Sequence, residues 1–187
     1  PEIQYPEEIE GFKIADPDDF SKYLRTLEPN LGNIIFANKV VIVEGPDDLL
    51  AYKTVLTQKL NFGLNNVAIV AAWGKDPINT VVQLCKRFEI PFFVIHDWDL
   101  NNDNCDITIE GNEGNEEYCK LDSNEKAQYT KNHKIFKEIE DLDLIHHNKK
   151  KLETVLEISD SDKGSIGVYE KIKGKSLEQV MKDFPNF

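Results

Sequence analysis

The stretch VVIVEGPDD, residues 40–48, decides the fold of this 187-residue chain. Its four β-branched residues run on without polar alternation, which predicts a strand buried on both faces of a sheet. Glu44 ends the run, and Gly45 permits a sharp turn beside it. A second stretch, PFFVIHDWD over residues 91–99, also ends an apolar run in acids. Carboxylates at the carboxyl ends of parallel strands lie where an open α/β sheet normally builds its site.

Strands and helices alternate between these two stretches. The patterns predict strands at 39–43, 67–72 and 91–96, with helices from 47 to about 60 and from 77 to about 88. Alternation of this kind is typical of an α/β fold: a mostly parallel, Rossmann-like sheet with right-handed crossovers and flanking helices.

The rest of the chain divides by composition. We expect a lead-in segment over 1–38, the main domain over 39–160, and a helical extension of that domain over 161–187. Residues 100–132 are rich in Asn, Asp, Glu and Gly, which predicts a polar surface insertion outside the core. Shorter elements are expected as a helix at 134–140, a strand at 142–145 and a helix or turn at 151–158.

The charge balance narrows the classes of function. The chain has 22 Lys and Arg against 34 Asp and Glu, a net charge of −12. Such a balance argues against a protein that simply coats nucleic acid, because duplex binding relies on neutralising phosphates with Lys and Arg. It does not exclude an enzyme that meets phosphates through bound metal ions, since the ions cancel part of the charge at the site.

Cysteines and targeting signals point to a reducing compartment. Cys85, Cys105 and Cys119 are odd in number and far apart, which favours neither a disulfide framework nor a zinc ribbon. Cys85 is expected to be buried on a helix. No signal peptide or long apolar run is visible, so we expect a cytoplasmic protein without a membrane span. Because the sequence begins with Pro1 and not Met, a fragment or processed product is expected.

Four acids at the two strand ends are the candidate metal ligands. Glu44 is followed by Asp48 in the first turn of the next helix, where an acid also favours the helix dipole. Asp97 and Asp99 form Asp-x-Asp, and in an extended segment both side chains point to one side. Carboxylates gathered in one place repel each other unless a cation lies among them, so the pattern predicts a hard divalent metal site. The alternative for each acid is an ordinary solvated strand or helix end.

These residues resemble the Toprim domain, the metal-binding module of topoisomerases, primases and certain nucleases. Toprim domains carry a Glu after their first strand and Asp-x-Asp after a later one, as Glu44 and residues 97–99 do. The opening segment NIIFANKVVIVEG, residues 33–45, is similar to the Toprim domain of the overcoming-lysogeny-defect (OLD) family of ATP-dependent endonucleases. Gly-Lys-Asp at 74–76 falls in the expected loop. The resemblance covers about residues 30–100.

The resemblance implies a DNA endonuclease that nicks or cleaves with two Mg²⁺ or Mn²⁺ ions. In that chemistry one ion activates a water and the other stabilises charge on the leaving oxygen. A basic residue near the end of such domains steadies the reacting phosphate, and Lys175 is the candidate, with Lys173 as the alternative. Glu157 is the alternative to Glu153 at the second ion. The implied metal ligands are Glu44, Asp48, Asp97, Asp99 and Glu153, of which Glu44, Asp97 and Asp99 also serve as catalytic residues.

Two further residues close to the acids in the predicted fold each have two possible interpretations. Lys75 either meets a phosphate oxygen near the mouth of the crevice or is an ordinary loop lysine. His96 is interpreted as a packed, hydrogen-bonded histidine, with support of the metal ligands as the alternative.

The resemblance also implies partners. DNA is the expected substrate. The chain has no Gly-x-x-x-x-Gly-Lys-Ser/Thr loop, so we expect no ATP site in it. Either an ATPase domain is missing from this fragment or the protein is a stand-alone Toprim protein, and a homodimer stays open. The alternatives are a primase- or topoisomerase-like Toprim fragment and a non-catalytic, Mg²⁺-binding α/β interaction module.

Overall fold

The chain begins with a small hairpin and continues into a larger α/β unit. The hairpin pairs β1 (Glu8–Ile9) with β2 (Phe12–Lys13) in antiparallel fashion. The computed structural model describes residues 8–9, 12–13, 31–55, 66–100, 116–148, 151–159, 164–176, 178–179 and 182.

A four-stranded sheet forms the centre of the α/β unit. Its strands are β3 (Lys39–Val43), β4 (Val67–Ala71), β5 (Phe92–Asp97) and β6 (Ile145–Asn148). The spatial order is β4-β3-β5-β6, and every pair is parallel. The predicted parallel sheet and its first three strands are confirmed. Because all four strands run the same way, their carboxyl ends meet at one edge of the sheet.

Helices cover both faces of the sheet. They are α1 (Leu31–Ile35), α2 (Pro46–Thr54), α3 (Ile78–Arg87), α4 (Glu116–Lys120), α5 (Ser123–Ile139), α6 (Leu152–Val155) and α7 (Ser165–Gly174). The helices predicted after β3 and β4 are confirmed as α2 and α3, although the predicted stretch of the first over 56–60 lies outside the described residues.

Alternation along β3 builds two cores. Val40 and Ile42 pack with residues of α3 and α5 on one face. Val41 and Val43 pack on the other face with residues of α2, α6 and α7. A third cluster surrounds Trp98 at the end of β5 and includes residues of α5. The C-terminal α7 therefore shares a core with the strands.

The connections diverge at β3. The chain leaves β3 toward α2, which packs on one face of the sheet, whereas β4 leads to α3, which packs on the opposite face. Divergence of neighbouring connections opens a crevice at the carboxyl ends of the strands, where open α/β sheets bind ligands. Glu44 and Asp97 stand at this edge.

The predicted polar insertion over 100–132 is wrong in its second half. Residues 101–115 lie outside the described residues, but α5 begins at Ser123 and its Tyr129 and Asn132 are buried. The helix starts with a capping box, in which Asp122 Oδ1 accepts from Glu125 N (2.8 Å) and Glu125 Oε2 accepts from Asp122 N (3.0 Å). The helix buries only one narrow face, so its mostly polar composition did not predict it.

Smaller elements also differ from expectation. The predicted strand at 142–145 is a 3₁₀ helix, Leu142–Leu144, and the strand β6 follows it. The sequence did not predict α1, whose Ile34 is fully buried. The short helix expected within 151–158 is confirmed as α6.

The buried position predicted for Cys85 is confirmed. Cys85 is a buried free thiol on α3, Cys119 is exposed and free, and Cys105 lies outside the described residues. None of the helices in the described ranges is both long enough and apolar enough to cross a membrane.

Candidate functional site

The turn after β3 places two acids side by side. Glu44 leaves the strand end, and Pro46 starts α2 with its fixed φ. Asp48 sits in the first turn, and its Oδ2 accepts a hydrogen bond from the Gly45 backbone N–H at 2.9 Å. A Cβ at position 45 would lie only 3.3 Å from that oxygen, so glycine lets the carboxylate approach the turn closely. Asp48 is consequently 7% exposed.

The end of β5 is bound to this turn. The backbone N–H of Asp97 donates to Glu44 Oε2 at 3.2 Å. The Asp97 carboxylate accepts two further hydrogen bonds at Oδ1, from Asn148 Nδ2 and from Leu152 N, both at 3.0 Å. Asn148 ends β6 and Leu152 starts α6. Three strand ends and a helix N-terminus thus meet at Asp97, and every donor to its carboxylate is electrically neutral.

Asp99 lies in a different environment. The strand ends at Asp97 and Asp99 has a left-handed backbone (φ 54°), so the expectation of one extended segment carrying both carboxylates is wrong at this residue. Its Oδ2 lies 2.9 Å from Lys75 Nζ, and its Oδ1 lies 3.9 Å from Lys151 Nζ. Lys75 is 4% exposed and also donates to Gln128 Oε1 at 3.2 Å. Asp99 is therefore paired with a buried cation.

The structure distinguishes the two candidate acids of the later segment, Glu153 and Glu157. Glu153 lies in the first turn of α6 and lines the same cleft as Glu44. Its charge raises the pKa values of Asp48 and Asp97. Glu157 is exposed, with a left-handed backbone (φ 56°), and is not among the cleft residues. The geometry favours Glu153 over Glu157.

Buried acids at the strand ends hold their protons more tightly than usual. Burial raises the pKa of Asp48 to about 8, and the charge on Asp97 adds to the rise. Burial also raises the pKa of Asp97 to about 7, with the hydrogen bond from Asn148 opposing the rise. Burial raises the pKa of Glu44, and the Lys75 ammonium opposes that rise. Full ionisation of these three acids together is therefore unfavourable unless a cation enters the cleft.

These acids line a cleft of about 290 Å³ at the carboxyl edge of the sheet. Its chemistry fits a hard divalent cation: the donors are carboxylate oxygens, and Asp48 Oδ1 is buried without a hydrogen-bond partner among the described residues. Across those same residues, no three His, Cys, Asp or Glu side chains stand close enough to hold an ion between them. The cleft is lined by Glu44, Gly45, Pro46, Asp47, Asp48, Trp73, Gly74, Asp97, Leu152 and Glu153.

Comparisons with known proteins agree with this geometry. The family model described as "Overcoming lysogenization defect protein-like, TOPRIM domain" matches residues 35–99. Residues 35–99 therefore belong to an OLD-like Toprim domain. An OLD nuclease from Thermus scotoductus (strain ATCC 700910 / SA-01) is 30% identical over 103 residues. That match covers 54% of this chain and 18% of the relative's length.

The Toprim match includes some of the site and omits the rest. Glu44, Asp48, Lys75, Asp97 and Asp99 fall within residues 35–99. Beyond the matched segment, Leu152 and Glu153 line the cleft, and Asn148 donates to the Asp97 carboxylate without lining the cleft itself. The Toprim site is thus built partly from chain beyond the matched segment.

Lysines near the C-terminus lie apart from the Toprim cleft. Lys175 caps the end of α7 and is absent from the cleft lining, and Lys173 Nζ lies 5.7 Å from the centre of the Tyr169 ring. Among the described residues, neither lysine is one of the charges that shift the pKa values of Glu44, Asp48 and Asp97, whereas Lys75 does act on Glu44. Lys75 is the buried basic residue that the structure brings to the acids, while Lys131 also lowers the pKa of Glu44 and Lys151 lies 3.9 Å from Asp99.

His96 is packed inside the Toprim fold, which confirms the preferred interpretation. Its ring is fully buried and meets Phe136 edge to face, with ring centres 6.2 Å apart. Nδ1 donates to the Asp97 carbonyl oxygen at 2.9 Å, and Nε2 is buried without a partner in the described ranges. Burial lowers the pKa of His96 to about 3, so the ring is neutral at ordinary pH.

Sequence reasoning missed the neutral residues of the Toprim site. Asn148 bonds Asp97, and the Tyr52 hydroxyl donates to Asn148 Oδ1 at 3.2 Å. Tyr52 follows Asp48 by one helical turn, which is a signal that the sequence does contain. Asn148 has no comparable signal, because residues 145–148 form a strand only by pairing with β5.

Proposed function

We propose that this Toprim domain hydrolyses phosphodiester bonds in DNA, nicking or cleaving it with two Mg²⁺ or Mn²⁺ ions. The observation that carries the proposal is the set of acids around one cleft, with burial raising the pKa of Asp48 to about 8 and that of Asp97 to about 7. Mutual repulsion holds such carboxylates apart, and a divalent cation among them reverses that repulsion. The likeness to an OLD nuclease supports the same activity.

The proposed ligands divide between two positions. Glu44, Asp48 and Asp97 would hold one ion, and their side chains would have to move closer together to do so, because no three acids among the described residues are close enough as they stand. Glu153 would contribute to the second ion, and Asp99 would complete the set while sharing its charge with Lys75. When bound, the ions would activate the attacking water and stabilise charge on the leaving oxygen. The protein itself fixes the ligands: Gly45 orients Asp48, while Asn148 and Leu152 orient Asp97.

DNA must approach a chain whose net charge is −12. Trp73 supports a path over the cleft, because it lines the cleft and is 60% exposed. An exposed aromatic ring can stack on a base without any charge attraction. We further propose that a separate ATPase domain, outside this chain, acts with the nuclease site, which the OLD resemblance supports.

Lys175 remains the proposed contact to the reacting phosphate, supported by the resemblance alone. We expect Lys175→Met to lower the rate of DNA nicking about tenfold and to leave Mn²⁺ affinity unchanged, since a phosphate contact acts on the reaction and not on the metal. Lys171→Met, at an exposed lysine of α7, is the matched control, and Lys173→Met tests the alternative lysine. Equal nicking rates for wild type and Lys175→Met would remove this lysine from the site.

The central experiment compares metal binding and nicking in the same preparations. Wild type should bind Mn²⁺ in a calorimetric titration and convert supercoiled plasmid to the nicked form. Asp97→Asn should lose both, with nicking at least 100-fold slower, because the variant removes a charged ligand and keeps its shape. Asp143→Asn, an exposed acid on the 3₁₀ helix, is the control. Failure of wild type to bind millimolar Mn²⁺, or equal nicking by wild type and Asp97→Asn, would contradict the proposal.

A non-catalytic, Mg²⁺-binding module is the second candidate. It is favoured by the ion pair between Lys75 and Asp99, because a carboxylate that a buried lysine already balances leaves fewer ligands for a second ion. The same pair of measurements separates it from the nuclease, because such a module would bind Mn²⁺ and leave the plasmid intact.

A further inference from the structure

A buried chain of neutral side chains ends on the Asp97 carboxylate. The Tyr52 hydroxyl donates to Asn148 Oδ1 at 3.2 Å, and Asn148 Nδ2 donates to Asp97 Oδ1 at 3.0 Å. Tyr52 is fully buried and Asn148 is 1% exposed. The chain joins α2, β6 and β5, three elements that are far apart in sequence.

The hydroxyl determines which way the amide faces. A carboxylate only accepts hydrogen bonds, so Asn148 must present Nδ2 to Asp97. The opposite rotamer would place the two Oδ1 atoms against each other. The hydrogen bond from Tyr52 holds Asn148 Oδ1 on the far side and therefore stabilises the productive orientation.

The amide and the backbone of α6 bind the same oxygen of Asp97. Asn148 Nδ2 and Leu152 N both donate to Oδ1, while Oδ2 accepts no hydrogen bond from the described residues. The two donors are neutral, so they fix the carboxylate without cancelling its charge. This arrangement orients one oxygen for the protein and leaves the other for a cation.

We propose that Tyr52 and Asn148 are positioning residues, which orient the Asp97 carboxylate for the divalent ion of the cleft. The inference rests on the proposed function, since it assigns a role to residues behind a proposed ligand. Neither residue lines the cleft, so both act through Asp97. Residues that orient metal ligands typically change metal affinity 10- to 100-fold when they are replaced.

The test uses Mn²⁺ affinity, measured on the full chain by electron paramagnetic resonance of the free ion. Asn148→Leu keeps the volume and removes the donor, and we expect it to weaken Mn²⁺ binding 10- to 100-fold. Tyr52→Phe removes only the remote hydroxyl and should weaken binding about three- to tenfold. Tyr129→Phe, another buried tyrosine in the Trp98 cluster, is the matched control and should bind as wild type does.

A double-mutant cycle separates positioning from general damage. If Tyr52 acts through Asn148, then Tyr52→Phe changes nothing further in the Asn148→Leu background. If the loss of Mn²⁺ affinity in the double variant equals the product of the losses in the two single variants, the proposal is overturned. Equal Mn²⁺ affinity of Tyr52→Phe and Tyr129→Phe would overturn it as well. If Asn148→Leu does not fold, that comparison of the two tyrosine variants decides alone. Wild type that binds no Mn²⁺ would overturn the metal site and this inference together, whereas intact binding in Tyr52→Phe would overturn the inference only.

Discussion

Asp97 and Asp99 are two residues apart, yet the structure treats their charges in opposite ways. Asp97 receives neutral donors, Asn148 Nδ2 and Leu152 N, and it lines the cleft. Asp99 receives the ammonium of buried Lys75 at 2.9 Å. Neutral donors fix a carboxylate and preserve its charge, whereas a cation neutralises it. The comparison teaches that one Asp-x-Asp motif can contain an acid held by neutral donors and an acid paired with a buried lysine.

The largest expected effect is the loss of stability when Lys75, the cation beside Asp99, is replaced. Lys75→Met leaves Asp99 without its buried cation, and breaking such a pair costs about 3 kcal/mol of unfolding free energy. Lys151→Met is the matched control: its side chain is 59% exposed and 3.9 Å from Asp99, so a loss below about 0.5 kcal/mol is expected. Urea unfolding of both variants measures the difference. Similar losses for the two would mean that Lys75 does not balance Asp99.

Asp48, a cleft acid that accepts a neutral donor from the Gly45 backbone, should show the opposite effect, because removing its charge should stabilise the fold. The folded-state pKa of Asp48 is about 8 against an ordinary 3.8, so the folded protein binds this proton more tightly than the unfolded chain. Its contribution to stability is greatest below pH 3.8 and falls as pH rises toward 8. Asp48→Asn cannot lose a proton, and we expect it to raise the thermal midpoint at pH 8 by several degrees and less at pH 5.

Magnesium sharpens the same measurement. At pH 8, 10 mM Mg²⁺ should raise the midpoint of wild type by binding the folded state, and it should raise that of Asp48→Asn less. Asp143→Asn, with its exposed acid, serves as the control and should follow wild type throughout. A midpoint for Asp48→Asn below that of wild type at pH 8 would contradict the view that the Asp48 charge is uncompensated.

The smallest expected effect concerns Trp73, in the loop that follows β4. Trp73 is exposed at the cleft, whereas Lys75, two residues later, is buried against Asp99. The chain has two tryptophans, and the other, Trp98, is only 6% exposed. We expect a single-stranded oligonucleotide to quench tryptophan fluorescence in wild type and not in Trp73→Phe. Trp73→Ala should weaken oligonucleotide binding about fivefold. Quenching that persists in Trp73→Phe would place the nucleic acid elsewhere.

The sequence predicted the parts of the site that follow strong local patterns. The β-branched run before Glu44 and the apolar run before Asp97 identified two buried strands, and a parallel sheet brings their carboxyl ends together. Pro46 and the acids after it marked the start of α2. Each of these features depends on residues near one another in the chain, so a pattern reveals them.

Features that depend on tertiary contacts could not be predicted in this way. The left-handed backbone of Asp99 separates it from Asp97, and no local pattern encodes that change. Asn132 is polar, yet it is buried because it donates to the Trp98 carbonyl oxygen at 2.8 Å. β6 pairs with β5 despite a His-His-Asn sequence of weak strand propensity. These residues obtain their structure from partners that the sequence places far away.

The two donors to Asp97 also set how much of the chain is needed to fix this carboxylate. Asn148 and Leu152 lie 51 and 55 residues after the aspartate that they bind, although Glu44, Asp48, Asp97 and Asp99 are all present by residue 99. A truncation that ends before residue 148 would retain every acid of the motif and lose both donors to Asp97. The segment that matches the family model is therefore shorter than the segment that includes both donors to Asp97, and synthesis of the chain reaches the second only some fifty residues after the first.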